Sequence, residues 1–271
     1  MIGQNHLKQV IKDQVDSNTW PRFSILVGPE GSGKKTICKY VAACLKAQIS
    51  VRNIGVDDIR QVVSEAYKVA MPIIYVIADA DRMSLPAKNA LLKVTEEPPQ
   101  SAYFILTLQD ANNTLSTIRS RGTIYYMDSY SADEIDEYYH NNHASYSDER
   151  LLVNMLCQTP REVDVLVEMG ATSFYDFVNT VVDNIAEVQG ANAFKIADRI
   201  KLKDSDENKY DLKLFWKAFM SICLSRLKEC PLKYAMGIKT TSKIMQDLRI
   251  NGISKQSTFD MWILNMREVW R

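Results

Sequence analysis

The sequence predicts a parallel α/β core followed by a helical C-terminal part, and three observations support this. Apolar runs at residues 23–27, 72–78, 103–108 and 123–127 have the length of buried strands. Helix-like segments at 37–45 and 86–97 lie between them, an alternation that favours a parallel sheet flanked by helices. From about residue 131 onward, strand-type runs disappear and the pattern becomes helical.

The helical part is predicted to form a small unit and a larger one. Ser131 before Ala-Asp-Glu is typical of a helix N-cap with acidic residues in the first turn, and Gly170 closes the small unit. The polar segment 201–209 is predicted to be an interhelix loop. We therefore expect a core at 1–127, a helical lid at 128–170 and a helical collar at 171–271. The collar's apolar positions recur at spacings of three and four: Phe174, Phe177, Val178, Val181, Val182, Leu212, Leu214, Phe215, Phe219 and Ile222.

Composition excludes several classes of protein. Hydrophobic residues make up 46% and charged residues 24%, without a low-complexity tract, which indicates a soluble globular protein and not a disordered one. The sequence has no apolar run long enough to span a membrane and its N-terminus is polar, so we expect no secretory signal and a cytoplasmic location. Lys plus Arg equals Asp plus Glu at 33 each, so the net charge gives no indication of a polyanion partner.

The cysteines predict neither disulfides nor a metal site. Their number is odd, and none forms a C-x-x-C pair or lies near a suitably spaced histidine: Cys38, Cys44, Cys157, Cys223 and Cys230. We expect reduced and mostly buried thiols.

A glycine-rich loop, GPEGSGKKT, follows the first predicted strand. Gly28, Gly31 and Gly33 allow the loop, including Ser32, to bring backbone N–H groups against a phosphate. Lys34 would add a positive charge at the outer phosphates, where a helix also begins. The loop therefore predicts ATP or ADP binding, and the alternative is a glycine-rich turn that binds nothing.

The position after Lys34 conflicts with magnesium binding. The pattern G-x-x-x-x-G-K-[ST] requires a hydroxyl there to ligate the metal, but Lys35 has three donors and no lone pair. Thr36 has the right chemistry but lies about 100° further around the helix. We count Lys35 and Thr36 among the residues at the nucleotide, and we expect binding that is weak or independent of magnesium, with no metal ligands.

The second predicted core strand ends in ADADRM. Phosphoryl-transfer NTPases of this type place a metal-binding aspartate there, usually followed by a glutamate that orients water. Ala78 removes the metal carboxylate, and Asp79 is one methylene shorter than glutamate. An isolated ADAD could also be a solvated turn in which Asp79 and Asp81 have no role in chemistry.

Four further segments carry a resemblance to a known family. IGQNHLKQVI near the N-terminus, IGVDDIRQVV at 54–63, NALLKVTEEPP at 89–99 and TIRSRG at 117–122 resemble clamp-loader subunits of bacterial DNA polymerase III. The resemblance covers about residues 2–127 and implies an AAA+ core, a lid and a collar. It also implies an open ring of five subunits that includes gamma/tau-type motor subunits and delta, and that acts on a sliding clamp and primer-template DNA.

Within that family, the degraded metal residues resemble the delta-prime branch, which has a lysine after the loop lysine. The family's Ser-Arg-Cys motif supplies an arginine finger to the ATP of an adjacent subunit, and it matches Ser120, Arg121 and Gly122. Arg121 is therefore expected to act in trans, with glycine replacing the cysteine. The alternative is that Arg119 and Arg121 are solvated loop residues.

The resemblance implies three other features. CQTPREV at 157–163 is similar to the family's second sensor helix, so Arg161 is expected to approach the nucleotide of its own subunit. Many relatives insert a four-cysteine zinc module before VDDIR, but only Cys44 lies near that interval, so no zinc is expected. Arg60 and Lys68 are candidates for DNA contact, or they are exposed helical charges.

Three hypotheses about function follow. The first is a stator that completes the ATPase site of a neighbour and hydrolyses little or no ATP itself. The second is an active AAA+ ATPase of DNA replication that uses Lys34, Thr36 and Asp79. The third is a free-standing DNA-binding module, which the balanced charge disfavours.

Overall fold

Five parallel strands form the sheet at the centre of the first half of the chain. They are β1 (Phe23–Val27), β2 (Gln48–Arg52), β3 (Ile73–Ile77), β4 (Ala102–Leu108) and β5 (Thr123–Tyr126). Their order is β2-β3-β4-β1-β5, with every neighbouring pair parallel. The predicted parallel α/β core is therefore confirmed, and β1 has a neighbour on both sides.

This computed structural model describes residues 2–143, 147–185, 196–202, 209–247 and 254–270. The chain divides into two units, residues 1–134 and residues 135–271. The predicted division of the helical part at residue 170 lies within the second unit and stays a prediction.

Helices cover both faces of the sheet. In the first unit they are α1 (Asn5–Asp16), α2 (Lys34–Leu45), α3 (Val56–Ala66), α4 (Leu85–Glu96) and the short α5 (Ser116–Arg119). Because successive strand side chains point to opposite faces, Ile25 belongs to a core with α3 and α4, and Leu26 belongs to a core with α1 and α2. The buried strands therefore read as continuous apolar runs in the sequence.

Strand β2 was not predicted from the sequence, while the four predicted strands differ from the observed ones by at most one residue at an end. β2 lies at the edge of the sheet, and Ile49 and Val51 are 38% and 56% exposed. Polar residues alternate with these two, so the strand has no continuous apolar run. Its pairing with β3 defines it as a strand.

Helices make up most of the described part of the second unit, in which Ile200 and Tyr210 also form an isolated parallel β-bridge. The helices are α6 (Ala132–Asn142), which begins before the division, α7 (Ser147–Leu156), α8 (Pro160–Glu168), α9 (Ala171–Asn184), α10 (Leu212–Ser225), α11 (Pro231–Asp247) and α12 (Lys255–Trp270). The predicted cap of α6 is confirmed, because Ser131 Oγ accepts from Glu134 N at 3.2 Å and Glu134 Oε2 accepts from Ser131 N at 2.9 Å. Gly170, with φ 77°, precedes α9.

Aromatic side chains dominate the core of the second unit. Phe219 and Trp262 pack edge to face with ring centroids 4.9 Å apart, and Phe215 lies 5.3 Å from Trp262. The predicted apolar positions of α9 and α10 are buried, except for the half-buried Phe177. Most of the predicted loop at 201–209, namely residues 203–208, lies outside the described residues.

The thiols are free, as expected. Cys38, Cys157 and Cys223 are buried, and burial raises the pKa of each to about 12, so these thiols stay protonated at neutral pH. Cys230 is exposed. None of the described helices is long and apolar enough to span a membrane.

Candidate functional site

The predicted phosphate loop lies at the carboxyl edge of the sheet, where β1, β3 and β4 end. Gly28 follows β1 directly, and its N–H donates to the carbonyl of Leu108 at the end of β4, at 3.0 Å. Ala78 and Asp79 follow β3, the next strand across the sheet. In open α/β sheets, ligands bind at this edge.

The three loop glycines are required for two physical reasons. Gly31 and Gly33 have φ values of 78° and 87°, in the left-handed region that disfavours other residues. A Cβ on Gly28 would lie 2.6 Å from Cγ of Met127, so the backbone approaches a side chain too closely for a larger residue. The predicted importance of Gly28, Gly31 and Gly33 for the loop's shape is thus explained by its geometry.

The loop presents a row of backbone donors. Gly33 is the N-cap of α2, and no side chain caps it. Among the described residues, the backbone N–H groups of the loop and of the first turn of α2 have no acceptor, namely those of Gly31, Gly33, Lys34, Lys35 and Thr36. Such donors at a helix N-terminus can bind an anion, because the helix dipole also places partial positive charge there.

The Lys34 side chain folds over the loop. Its ammonium donates to the carbonyls of Gly28 at 2.7 Å and Pro29 at 2.8 Å, and only 8% of the residue is exposed. Burial lowers the pKa of Lys34, while the nearby carboxylates of Asp79 and Asp81 act in the opposite direction. A buried ammonium at this position would favour an anion strongly, because the site offers it little solvation.

Lys35 and Thr36, the two residues after Lys34, do not provide a metal ligand at the position that the motif requires. Lys35 and Thr36 are the second and third residues of α2, and both are exposed. The Lys35 ammonium has no lone pair for a cation. Thr36 is displaced by about 100° around the helix axis from the position that the motif requires.

Asp79, which follows β3, contributes a carboxylate and has an unusual backbone conformation. Asp79 is exposed and has a φ of 53°, an uncommon value for a residue other than glycine. Its N–H donates to Oγ1 of Thr107 in β4 at 3.1 Å. Ala78 has no side chain that could ligate a metal, so the carboxylate of Asp79 is the acidic group that β3 itself contributes next to the loop.

The carboxylate of Asp81 accepts hydrogen bonds from the backbone of the turn after β4. Its carboxylate accepts from the N–H of Gln109 at 3.0 and 2.9 Å and from the N–H of Asp110 at 3.3 Å. Asn113 Nδ2 also donates to it at 3.3 Å. This arrangement ties the turn after β3 to the turn after β4, so Asp81 is more than the solvated turn residue that the isolated ADAD pattern suggested.

Arg121 lies at the opposite edge of the sheet from the phosphate loop. It precedes β5, whose first residue Thr123 pairs with Ser24, whereas Tyr126 at its end pairs with Val27 just before the loop. At roughly 3.3 Å per residue, the four residues of β5 place the two edges about 13 Å apart. Arg121 and the phosphate loop of the same chain are therefore not brought together.

The guanidinium of Arg121 is held by its own chain at the surface. It donates to the Thr117 carbonyl at 2.8 Å and lies 3.0 Å from Oε1 of Glu96, with 36% of the side chain exposed. Arg119 donates separately to Asn112 Oδ1 at 2.6 Å. These exposed contacts are worth little energetically, so Arg121 can exchange them for a stronger anion.

Close packing against β1 explains why a glycine, Gly122, stands where the motif has a cysteine. A Cβ at this position would lie 2.9 Å from Cδ1 of Phe23 and 3.0 Å from Cδ1 of Ile25. Phe23 and Ile25 belong to the buried β1. The departure from the family motif thus matches a large side chain in the adjacent strand.

Three predicted basic contacts stay predictions. Arg161 is exposed in the first turn of α8, in the second unit, which is described by itself. Arg60 is exposed on α3 and forms a 3.5 Å ion pair with Asp57, and Lys68 is exposed just after that helix. Ordinary helical charges would also have these properties.

Two residues of the site were not predicted from the sequence, Thr107 beside Asp79 and Tyr130 beside the phosphate loop. Thr107 is a buried polar residue within the apolar run of β4, and that break in the pattern was a signal that could have identified it. Tyr130 donates a hydrogen bond to the Ser32 carbonyl at 2.9 Å. No sequence pattern pointed to Tyr130, because it lies beyond the last strand and outside every motif.

The first unit has the fold of an AAA+-like core, a five-stranded parallel sheet flanked by helices with a glycine-rich loop after its first strand. The structure is similar to a gamma-subunit-related protein of DNA polymerase III from Thermotoga maritima, with TM-score 0.54 and 15% identity, covering 97% of this chain and 99% of that one. It is also similar to the Thermotoga maritima RuvB Holliday junction branch migration motor, with TM-score 0.50 and 18% identity over 84% of this chain and 76% of that one. At these identities, the likeness shows the fold alone.

The sequence is similar to subunits of bacterial DNA polymerase III. Residues 45–131 match the family model for "DNA polymerase III, delta subunit". The gamma subunit of Buchnera aphidicola is 25% identical over 166 residues, which cover 50% of this chain and 46% of that subunit. The delta' subunit of Escherichia coli is 34% identical over 77 residues, which cover 27% of this chain and 23% of that subunit.

The chain is thus related to the gamma, tau and delta-prime subunits of bacterial DNA polymerase III, the clamp-loader family that its motifs resemble. Its matched part spans less than half of the length of these curated relatives.

Proposed function

We propose that this chain is a clamp-loader subunit of the delta-prime type that acts as a stator. It supplies Arg121 to ATP bound by a neighbouring gamma/tau-type subunit while the complex loads a sliding clamp onto primed DNA. Its partners are the motor subunits and delta in a five-subunit ring. Its own loop binds ATP or ADP weakly or without magnesium and does not hydrolyse it.

The observation that carries the proposal is the separation of Arg121 from its own phosphate loop. The two lie at opposite edges of the sheet, about 13 Å apart by the length of β5. A guanidinium so placed has no phosphate to serve within its own core. It suits a phosphate presented by another subunit.

The chemistry of an arginine finger fits the exposed guanidinium. Its planar fork can donate two hydrogen bonds to the transferred phosphoryl group and stabilise the charge that develops there. Release from Glu96 would free the side chain at little energetic expense, because that pair is half exposed. Effects of about 10³ to 10⁵ in rate are typical of such residues.

The chain's own site supports a non-hydrolytic role. Lys35 stands where the metal-binding hydroxyl is required, and Ala78 stands where the metal carboxylate is required. Two independent ligands of magnesium are therefore replaced by side chains that cannot bind it, while the backbone donors of the loop remain.

The test is reconstitution with the motor subunits, delta, the clamp and primed DNA. We expect Arg121→Ala to abolish the DNA-stimulated ATP hydrolysis of the site that faces this subunit, while the complex still assembles. Arg119→Ala is the matched control, because it removes a guanidinium two residues away that donates to Asn112. Undiminished hydrolysis with Arg121→Ala would refute the stator.

The second candidate is an active AAA+ ATPase, which is favoured by the buried Lys34 and the nearby Asp79 carboxylate. Here the chain alone would hydrolyse ATP with magnesium and lose this activity on Lys34→Ala. The stator predicts that the purified chain hydrolyses no ATP above background.

A further inference from the structure

Tyr130 packs against the phosphate loop from the segment between β5 and α6. Its hydroxyl donates to the carbonyl of Ser32 at 2.9 Å. A Cβ on Gly33 would lie 3.3 Å from the Tyr130 oxygen, and a Cβ on Gly3 would lie 2.8 Å from its Cε1. The ring therefore lies between the N-terminal segment and the loop, in space that glycines leave open on both sides.

The hydrogen bond fixes the orientation of one peptide group. In a planar trans peptide the C=O and the N–H point in opposite directions. Because the Ser32 carbonyl points to Tyr130, the N–H of Gly33 points away from it. That N–H has no acceptor in the described chain, so it is available to a phosphate oxygen.

The segment that carries Tyr130 is itself held firmly. Gln4, which is 3% exposed, donates through Nε2 to the carbonyl of Asp128 at 2.7 Å and accepts from the N–H of Asp128 at 2.8 Å. Immediately after Tyr130, Ser131 and Glu134 form the reciprocal cap of α6. Tyr130 is therefore bracketed by two anchors and has little freedom to leave the loop.

The phenol is suited to act as a donor. Burial raises its pKa above the usual value for tyrosine, so the hydroxyl keeps its proton at neutral pH. The Lys34 ammonium donates to Gly28 and Pro29 and the Ser32 hydroxyl donates to Pro29, so neither serves the Ser32 carbonyl.

We propose that Tyr130 is a positioning residue for the phosphate loop, one that holds the Ser32–Gly33 peptide so that the Gly33 N–H can donate to a nucleotide phosphate. The inference deepens the proposed function and rests on its expectation that the loop takes ATP or ADP. The hydroxyl of Tyr130 would provide part of the rigidity of the loop, in which Lys35 stands where the motif has a magnesium-binding hydroxyl.

The first measurement is nucleotide affinity. Tyr130→Phe removes only the hydroxyl, and we expect it to weaken binding of fluorescent ribose-labelled ADP about fivefold, the scale of one hydrogen bond. The thermal midpoint should fall by no more than about a few degrees, because the ring remains and only one hydrogen bond is lost. Tyr126→Phe is the matched control, since Tyr126 is 63% exposed at the end of β5. Equal or tighter binding by Tyr130→Phe would overturn the inference.

The second measurement needs no nucleotide. Amide hydrogen exchange in residues 28–36 of the full chain should be faster in Tyr130→Phe than in the unmodified protein or in Tyr126→Phe. Unchanged exchange would overturn the inference even if the unmodified chain binds no labelled ADP. The stator is judged separately, because the hydrolysis by the complex depends on Arg121 and not on this loop.

Discussion

The two edges of the sheet differ in which residues of the nucleotide-site motifs they retain. At the carboxyl edge, the loop keeps its glycines and Lys34, but Lys35 and Ala78 replace both magnesium ligands. At the amino edge, Arg121 is present and exposed, and Gly122 fits closely against β1. A subunit that worked alone would need the first edge intact, whereas a subunit that completes a neighbour's site needs only the second.

The loop departs from the magnesium-binding motif at Lys35 while its backbone keeps the shape of a phosphate loop. Gly31 and Gly33 still adopt left-handed conformations, and the loop amides still face no acceptor in the described chain. This geometry costs conformational freedom, so its presence without magnesium ligands calls for a physical role. Binding a nucleotide without hydrolysing it is such a role.

Restoring the carboxyl edge would have the largest effect on this contrast. We expect Lys35→Thr combined with Ala78→Asp to make nucleotide binding dependent on magnesium and tighter on the order of 10-fold, the scale on which a metal site responds to changes around it. Titration of labelled ATP with magnesium and with EDTA would measure this. Lys35→Ala is the control, because it removes the lysine without adding a ligand. Equal affinity with and without magnesium in the double variant would show that these positions do not define the metal site.

Crowding the amino edge should have a smaller effect, on stability. Gly122→Ala places a Cβ 2.9 Å from Phe23 in the core, which should destabilise the first unit by about 1–3 kcal/mol. Urea titration with hydrogen exchange of β1 peptides would measure the loss. Gly55→Ala is the control, since the added Cβ would meet only the flexible carboxylate of Asp58. Equal losses in the two variants would contradict this account of Gly122.

The smallest effect is expected from Lys34→Met. Burial lowers the pKa of Lys34 from 10.5, so the unfolded chain binds more protons and stability rises with pH toward 10.5. The variant lacks this dependence, and it also loses the hydrogen bonds from the ammonium to the Gly28 and Pro29 carbonyls and should lose nucleotide affinity. The stability of the unmodified chain relative to the variant should therefore rise as the pH increases through the lowered pKa toward 10.5. Thermal midpoints of both proteins across this range would show it, and a relative stability that falls with pH would refute it.

Much of the fold could be predicted because buried parallel strands read as apolar runs. β1 was predicted with its observed ends, and β3, β4 and β5 differ by a residue. β2 escaped detection because an edge strand with one open side needs no continuous apolar sequence, and its identity as a strand comes from pairing with β3. Helix starts were accessible where a local cap specifies them, as at Ser131.

Site residues that belong to a sequence motif could be predicted. Site residues that act through contacts with distant parts of the chain could not. The loop and Arg121 were found by motif. Tyr130 and the Asp81 carboxylate act on groups 98 and 28 residues away, through hydrogen bonds that no local pattern records. The position of Arg121 relative to the loop likewise follows from strand register and not from sequence separation.

The uncovered strand β2 has a practical consequence for anyone purifying this chain. An outer strand with exposed Ile49 and Val51 is a template on which another extended segment can add, and such edges promote self-association. The ion pair between Arg52 and Glu65 at 2.8 Å places charge at one end of the strand, whereas the exposed side chains of Ile49 and Val51 are apolar. Concentrated stocks of the isolated chain should therefore be checked for aggregates before weak nucleotide binding is measured.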